Sequence, residues 1–546
     1  VIRYKLVTFV DTTIQLGVVI LGALGLSVPF GLYIARMISF EMRPLERPLA
    51  KIERSFFKLI GIDVDKQMTW KEYFLALFMT SVISIIFVIL VLSFQNYLPS
   101  SQHVDGLSID LAFNTAMSFI TNTDLQHYIG ENQLSVVSQM VALTFAMFVA
   151  PAFGIVTAFA FIRSFIRKNF GLGNFYVDFV RVIITLLLPV SFISSLLLMI
   201  TGVPQTLTSS ETIKTIEGNN QSIPIGPVAS LESIKELGQN GGGYFGANSA
   251  HPFENPTGLS NTYEMFLMLV IPLSFPIAYA KLLGKGRGIS ILAVMFIGFG
   301  GLLVFALYTH PASSLIETRF GSFSSTLFNM ISISSNTGAV NVSLAGMTPN
   351  AIVSLLVAMF IQAIPGGAGM GMLYMLVYVI LTLFVVGLMV GKTPEFMSMK
   401  ISPKDVKKGV FLFLLHPALI LIPTAIAFST GYAQTIIGDT ITPLGYTQTL
   451  YEFTSAAANN GSDYFGASAN TPFWNWSTGL IVFLGRYLPI GLMLAIAGSF
   501  TVKERKEAIE PIKTKGVVFV SVVSVVTFLL TALAFFPFLV IGPFSM

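Results

Sequence analysis

The chain contains no cysteine, which excludes disulfides and thiolate metal sites. It is also poor in charge. Only 11% of its 546 residues are Asp, Glu, Lys or Arg, where a soluble protein averages about 25%. Too few charges exist to cover the surface of an ordinary water-soluble enzyme of this length. The net charge of +4 is small for the size and excludes the basic footprint of a nucleic-acid binder. No Asp-Lys-Thr-Gly-Thr phosphorylation motif, phosphate-binding Walker loop or polar block of nucleotide-domain length occurs, so a self-contained transport ATPase is excluded. What remains is apolar: 54% hydrophobic residues and a mean hydropathy of +0.77. That composition rules out disorder and points to an all-α, polytopic membrane protein.

A spanning helix needs about 20 mainly apolar residues. Stretches without Asp, Glu, Lys or Arg fall at 12–35, 74–94, 132–162, 182–210, 289–309, 320–391, 409–438 and 516–546, with a shorter one at 265–280. The stretch 474–500 carries one charge, Arg486. The long run 320–391 divides at an Asn- and Gly-rich piece near 335–349, and its second half is interrupted by Pro365-Gly366-Gly367-Ala368-Gly369-Met370-Gly371. Counting 350–391 as one broken helix gives ten spans, the preferred count, and counting it as two gives eleven. Segments 36–72, 163–181, 281–288, 392–408 and 501–515 hold 25 of the 31 Lys and Arg, against 12 acidic residues. The other side holds five basic and 15 acidic residues. By the positive-inside rule the basic segments are cytoplasmic, and both termini and the acidic connections lie outside.

Each of the four outside connections contains an apolar piece too short to span, followed by a polar cluster. These clusters are Thr121-Asn122-Thr123-Asp124, Gln239-Asn240-Gly241-Gly242-Gly243, Ser335-Asn336-Thr337-Gly338 and Asn459-Asn460-Gly461-Ser462. Placing Asn122, Asn240, Asn336 and Asn460 in one column aligns all four, although Gly338 then falls one place later than Gly241. A helix, half-helix, polar loop and helix used four times is the plan of a potassium pore. Small residues let backbone carbonyls point at an axis and replace the water shell of a dehydrated cation, and half-helices aim their negative ends at it. The expected repeats are 73–165, 176–285, 288–392 (with the broken second helix) and 408–502. An extra helix and cytoplasmic loop precede them at 1–72, and an extra helix follows at 516–546.

The residues of the second loop are specific. Asn240-Gly241-Gly242-Gly243-Tyr244-Phe245, followed by Asn248-Ser249-Ala250-His251-Pro252-Phe253-Glu254-Asn255-Pro256-Thr257, closely resembles the signature of the potassium-binding A subunit of Kdp potassium-transporting ATPases. Further matches are Asn114-Thr115-Ala116, Gln126, Gly391-Lys392-Thr393-Pro394-Glu395 and Gly485-Arg486. The resemblance covers essentially the whole chain. It implies a member of the superfamily of potassium transporters that binds extracellular K+ in a filter. It implies, too, a partner P-type ATPase catalytic subunit that uses ATP and Mg, with small accessory subunits. This chain itself would hydrolyse no ATP. The implied location is a bacterial or archaeal plasma (inner) membrane, with lipid as surroundings. An autonomous channel or transporter of the Trk/Ktr type is the alternative.

Carried over residue by residue, the implied filter is Asn122, Thr123, Asn240, Gly241, Thr337, Gly338, Asn460 and Gly461. Gln126 matches a family glutamine tied to affinity and selectivity, and Gly242, Asn336 and Asn459 flank the same loops. Asp124 and Asp463 depart from the pattern by placing carboxylates beside the filter. Two readings stand: they concentrate cations at the mouth, or they accept hydrogen bonds from backbone amides in a turn, the second being preferred. Gln362 stands where relatives carry a glutamate, just before the break. The resemblance implies that Gly366, Gly367 and Gly369 belong to an intramembrane gating loop. An arginine at mid-span costs at least about 2.5–3.5 kcal/mol to insert, and two readings stand for Arg486: a fixed charge that hinders leak along the ion path, which is preferred, or a structural arginine that satisfies helix-end carbonyls. His103, His127, His251 and His416 lack metal-ligand spacing and are expected to be structural.

Overall fold

The computed structural model describes residues 2–40, 55, 57–59, 61–99, 104–166, 171–308, 319–505 and 512–541, with the side chains of 2–13 and 536–541 excepted. His103 and parts of the basic segments 36–72, 163–181 and 501–515 lie outside the described residues. The chain begins with α1 (Ile2–Ser39). Then come α2 (Trp70–Ser93), the short α3 (Ile109–Ile120) and α4 (Val136–Arg163). The next unit is α5 (Phe175–Thr201), the short α6 (Val228–Gly238) and α7 (Gly258–Leu283). It is followed by α8 (Lys285–Leu307), α9 (Gly321–Ser334) and a two-part helix, α10 (Pro349–Ile361) and α11 (Met370–Met389). The last unit is α12 (Pro403–Ser429), α13 (Pro443–Ala458) and α14 (Pro472–Thr501), and α15 (Val517–Ile541) closes the chain.

Ten of the described helices are long and apolar enough to cross a membrane, and this is a multi-pass membrane protein. Helix starts follow the caps written in the sequence. Thr69 and Glu72 bond each other's backbone amides at the start of α2, and at the start of α12 the Asp405 carboxylate accepts from the Ser402 amide and hydroxyl. In lipid every backbone group must be satisfied within the protein, so the helices stay continuous except where protein surrounds the irregular backbone.

Burial separates two rings. The second long helix of each unit is mostly inside: 89% of the apolar window of α4 is buried, 72% of α7, 72% of α11 and 67% of α14. The first helices, α2, α5, α8 and α12, are 39, 28, 50 and 39% buried and face outward. This inner and outer division places the four short helices and their loops at the centre. The α10–α11 helix is broken at Gln362–Gly369, which overlaps the expected Pro365–Gly371 but opens three residues earlier, and Met370 and Gly371 already belong to α11. Two features were not anticipated. Ser210–Lys214 and Asn220–Pro224 form an exposed antiparallel hairpin. Arg163, counted with the cytoplasmic charges, is fully buried; it pairs with Asp178 and its Nε donates to the Ile38 carbonyl at 2.8 Å. Tyr73 donates to the same aspartate, so α1, α2, α4 and α5 are tied at one end.

Candidate ion-conducting site

The four short helices end in the same way. Asn122, Gln239, Asn336 and Asn459 all adopt left-handed backbone, with φ of 62, 57, 54 and 54°. In each case that residue's amide bonds the carbonyl three residues back, and the next residue's amide bonds the carbonyl five residues back. The latter bonds run from Thr123 to Ser118, Asn240 to Lys235, Thr337 to Ser332 and Asn460 to Ser455, at 3.0, 2.8, 2.8 and 2.9 Å. This is the left-handed helix stop in which asparagine and glycine are tolerated. The structural register is therefore Asn122, Gln239, Asn336 and Asn459. The column drawn from the sequence is one residue late in the second and fourth loops, because the doubled asparagine of the fourth loop and the glutamine of the second hid the stop position. The corrected register brings Gly241, Gly338 and Gly461 into line. Asp124, with φ 57°, holds the place of that glycine in the first loop.

Thr123, Gly241, Thr337, Gly338, Asn460 and Gly461 converge. A β-carbon added at Gly241 would sit 2.7 Å from the Thr337 carbonyl oxygen, 3.1 Å from that of Thr123 and 3.2 Å from that of Asn460. One added at Gly338 would meet the Asn460 carbonyl oxygen at 2.0 Å, and one at Gly461 would meet the Thr123 oxygen at 1.8 Å. Carbonyls from three loops thus crowd the backbone of the remaining one, with no side chain between them. The arrangement can offer a ring of oxygen dipoles to a cation, at the point where four helix C-termini also meet.

The flanking side chains lock the loops. Asn122 Nδ2 donates across to the carbonyls of Gly238 and Gln239, and Asn336 Nδ2 donates to Ala458 at 3.0 Å. Asn460 Nδ2 reaches the Ile333 carbonyl at 3.1 Å, and Asn459 Nδ2 reaches Thr123 Oγ1 at 2.9 Å. Asn240 Nδ2 bonds Met147 and Ile234 carbonyls instead. Gln126 binds the backbone of Gly243 twice, accepting from its amide at 2.9 Å and donating to its carbonyl at 3.0 Å. It joins the first loop to the second. Gly242 has no room for a side chain against Phe119 and the Asp124 Cβ.

The two aspartates differ. Asp463 is half-buried, and its carboxylate lies beside the backbone amides of Gly466 and Gln126. Asp124 is 1% exposed, and its carboxylate lies against the Gly242 amide without completing a hydrogen bond of good geometry. His251 stacks on Phe245 with ring centroids 3.8 Å apart and accepts from the Phe253 amide, and burial lowers its pKa. Its role is packing. His127 likewise bonds Asn475 Oδ1 at 2.7 Å.

The break and the arginine come together. The Gly366 amide donates to the Ser334 carbonyl at 2.9 Å, and Gly367 lies against Asn336 and Ser335, so the break packs directly against the third loop. Gly369 abuts the Gly154 carbonyl of α4, and Arg486 reaches the same stretch, its Nη2 donating to the Ala150 carbonyl at 3.3 Å. Arg486 is 6% exposed and its Nε has no partner. Gln362, left-handed at φ 55°, ends α10 and lines a small cavity with Tyr374, Tyr378 and His416.

Sequence reasoning missed a buried charge cluster behind the second loop: Glu232, Lys235, Glu236, Glu254 and Glu264, all fully buried. Lys235 had been counted as an outside positive charge. The available signal was three charges at i, i+3 and i+4 in a half-helix that must pack inside.

The family model of the potassium-transporting ATPase A subunit matches residues 17–545. The chain belongs to the potassium-transporting ATPase A subunit family. Membership makes potassium the transported ion and agrees with the resemblance drawn from the second loop. The fold is also similar to that of the potassium transporter TrkH from Vibrio parahaemolyticus, seen in a crystal structure. That likeness covers 87% of this chain and 99% of the other, at 15% identity and a TM-score of 0.54. A helical architecture is thus shared between an A-subunit family member and a chain of very different sequence.

Proposed function

We propose that this chain is the potassium-selective, channel-like subunit of an ATP-driven uptake pump. The four loops form its filter. Carbonyls of Thr123, Asn240, Gly241, Thr337, Gly338, Asn460 and Gly461 replace the hydration shell of K+, and Asn122, Gln126, Gly242, Asn336 and Asn459 hold them in register. Asp124 lies beside them. The single observation that carries this reading is the ringing of Gly241 by the Thr123, Thr337 and Asn460 carbonyl oxygens at 2.7–3.2 Å from a β-carbon built there. Beneath the filter, Gln362, Gly366, Gly367, Gly369 and Arg486 form the gated part of the ion path. A partner P-type ATPase subunit takes the ion onward and supplies ATP and Mg chemistry, with small accessory subunits completing the assembly. The chain sits in a bacterial or archaeal inner membrane with both termini and the filter mouth outside. It is organised as four pore repeats, 73–165, 176–285, 288–392 and 408–502, between an extra helix and loop at 1–72 and an extra helix at 516–546.

The test is Gly241→Ser, read as discrimination between K+ and Rb+, ammonium or Na+ in uptake. Loosened discrimination is expected, and unchanged selectivity in a folded variant would sink the filter. The likeness in fold to a protein described as a potassium transporter favours the second reading, an autonomous transporter of the Trk/Ktr type. Purification decides between the two. A co-purifying P-type ATPase subunit supports the pump, whereas K+ flux through the isolated chain at full rate supports the alternative.

A further inference from the structure

Behind the second loop lies a charge cluster that no step of K+ passage uses. Glu232, Lys235 and Glu236 share one face of α6, Glu254 comes from the loop beyond the filter, and Glu264 comes from α7. Lys235 Nζ lies 2.7 Å from Glu232 Oε2, 2.8 Å from Glu254 Oε2 and 3.4 Å from Glu236 Oε1. One ammonium therefore pairs with three carboxylates, with Glu264 the fourth carboxyl of the cluster, and all four are at 0% exposure. Glu254 is fully engaged, because its other oxygen accepts from the Phe245 amide at 2.7 Å. Glu232 is engaged too, with its Oε2 on Lys235 and its Oε1 accepting from Ser249 Oγ at 3.1 Å, whereas Glu236 and Glu264 are not. Glu232, Glu236 and Glu264 each present an oxygen within 4.8 Å of the others. Glu264 is the decisive group. It enters from a separate helix, and neither of its oxygens completes a hydrogen bond of good geometry, although Ser249 lies beside it; Glu236 Oε2 is likewise without a partner. A buried carboxylate in that state demands a proton or a cation.

We propose that Glu232, Glu236 and Glu264 bind a calcium ion. The donors are all carboxylate oxygens, the ligands of a hard cation. Four carboxylates against one lysine leave a charge of −3; a divalent ion brings it to −1, and a monovalent ion leaves it at −2. Oxygens up to 4.8 Å apart suit opposite sides of calcium, whose ligands lie at about 2.3–2.6 Å. Magnesium binds at about 2.0–2.1 Å and keeps several waters, for which a pocket walled by fully buried groups is a poor host. Ser249 Oγ stands 3.1 Å from Glu232 Oε1 and 3.3 Å from Glu236 Oε1 and orients both.

The site is wired to the second loop. Lys235 donates to Asn248 Oδ1 at 3.0 Å, and Asn248 Nδ2 donates to the Gly241 carbonyl oxygen. Calcium fixes the carboxylates that fix Lys235, and through Asn248 it sets the Gly241 carbonyl. This last link rests on the loops being the filter; the ion site does not.

The experiment uses the full chain purified in detergent without chelator and desalted. Metal content by plasma mass spectrometry should give about one calcium per chain, falling at least tenfold in Glu264→Gln and Glu236→Gln. EGTA should lower the unfolding temperature of the unsubstituted protein, and CaCl2 but not MgCl2 or KCl should restore it. No calcium, together with unfolding indifferent to EGTA and CaCl2, would overturn the site and assign protons to the carboxyls. One magnesium per chain would overturn the choice of ion. If the variants fail to fold, the metal content and EGTA response of the unsubstituted chain decide alone. Calcium bound, with K+ over Na+ selectivity unmoved after EGTA, would overturn the link to Gly241 and leave the ion site standing.

Discussion

The filter reading makes a graded prediction on one chemical change, glycine to alanine, at three positions. Gly301 lies in α8 with nothing within 4 Å of an added β-carbon. Alanine there is expected to stabilise the helix by about 0.5–1 kcal/mol and leave selectivity alone. At Gly241 the backbone accepts alanine, but the new carbon would stand 2.7 Å from the Thr337 carbonyl oxygen. At Gly461, φ is 101° and the new carbon would stand 1.8 Å from the Thr123 carbonyl oxygen. That oxygen must retreat by about 1.6 Å to reach an ordinary contact of 3.4 Å, and left-handed alanine adds about 1–2 kcal/mol of backbone strain.

Losing one oxygen dipole from a cation is comparable to losing a charge-assisted hydrogen bond, about 1.5–3 kcal/mol. At 1.4 kcal/mol per decade, Gly461→Ala should lose roughly tenfold to a hundredfold of K+ affinity or of K+ over Na+ preference. Gly241→Ala should fall between it and Gly301→Ala. The assay is Rb+ uptake competed by K+, Na+ and ammonium in cells lacking other potassium uptake, with size-exclusion profiles and unfolding temperatures as controls for folding. Three folded variants with the same selectivity would refute the assignment of these carbonyls.

Four further outcomes follow from the same geometry. Arg486→Gln should raise passive K+ leak in proteoliposomes without lowering the unfolding temperature, because the arginine makes a single 3.3 Å hydrogen bond and costs about 2.5–3.5 kcal/mol to insert. Gly369→Ala places a carbon 2.5 Å from the Gly154 carbonyl at a φ of 76°, and is expected to slow Rb+ uptake with K+ over Na+ preference retained. Asp178→Asn leaves Arg163 buried beside a neutral amide and should cost about 3–5 kcal/mol in denaturant or thermal unfolding. Asp124→Asn keeps a residue tolerant of left-handed backbone, so folding should hold while apparent K+ affinity in uptake weakens several-fold.

The spans were legible because lipid enforces a simple code of length and apolarity, and the ten-helix count follows from it. The break was legible too, since a proline and three glycines at 365–369 end a helix in any setting, although it opens three residues earlier, at Gln362. The loop register was not. It is set by which residue turns left-handed, and a glutamine at 239 does so beside asparagines that do so at 122, 336 and 459. Residue type alone misleads by one place there. Burial of charge was also hidden. Arg163 and Lys235 read as surface charges by position, yet each finds buried carboxylates on other elements, Asp178 on α5 and Glu254 beyond the second loop. Such partners are fixed by tertiary packing, which spacing along one helix does not report. The meeting of Arg486 with the break was invisible for the same reason, since 115 positions separate Arg486 from Gly371.

Four repeats in one chain also allow what four identical subunits do not. The backbone stop at the end of each half-helix is kept in all four. Everything attached to that frame differs. The first loop carries Asp124 where the others carry glycine. Repeat two anchors its loop to a buried ionic cluster through Asn248. Repeat three breaks its inner helix, and repeat four supplies Arg486. The first repeat's α4 then brings the last two together, with Gly154 against Gly369 and Ala150 against Arg486. A tetramer would have to place four arginines and four breaks around one axis, and four centred arginines would cost about 10–14 kcal/mol at the insertion values above. One arginine at one point of the wall puts a positive charge beside the path without closing it by repulsion from every side. On the proposed reading, the asymmetry serves the path below the filter and the symmetry serves the filter itself.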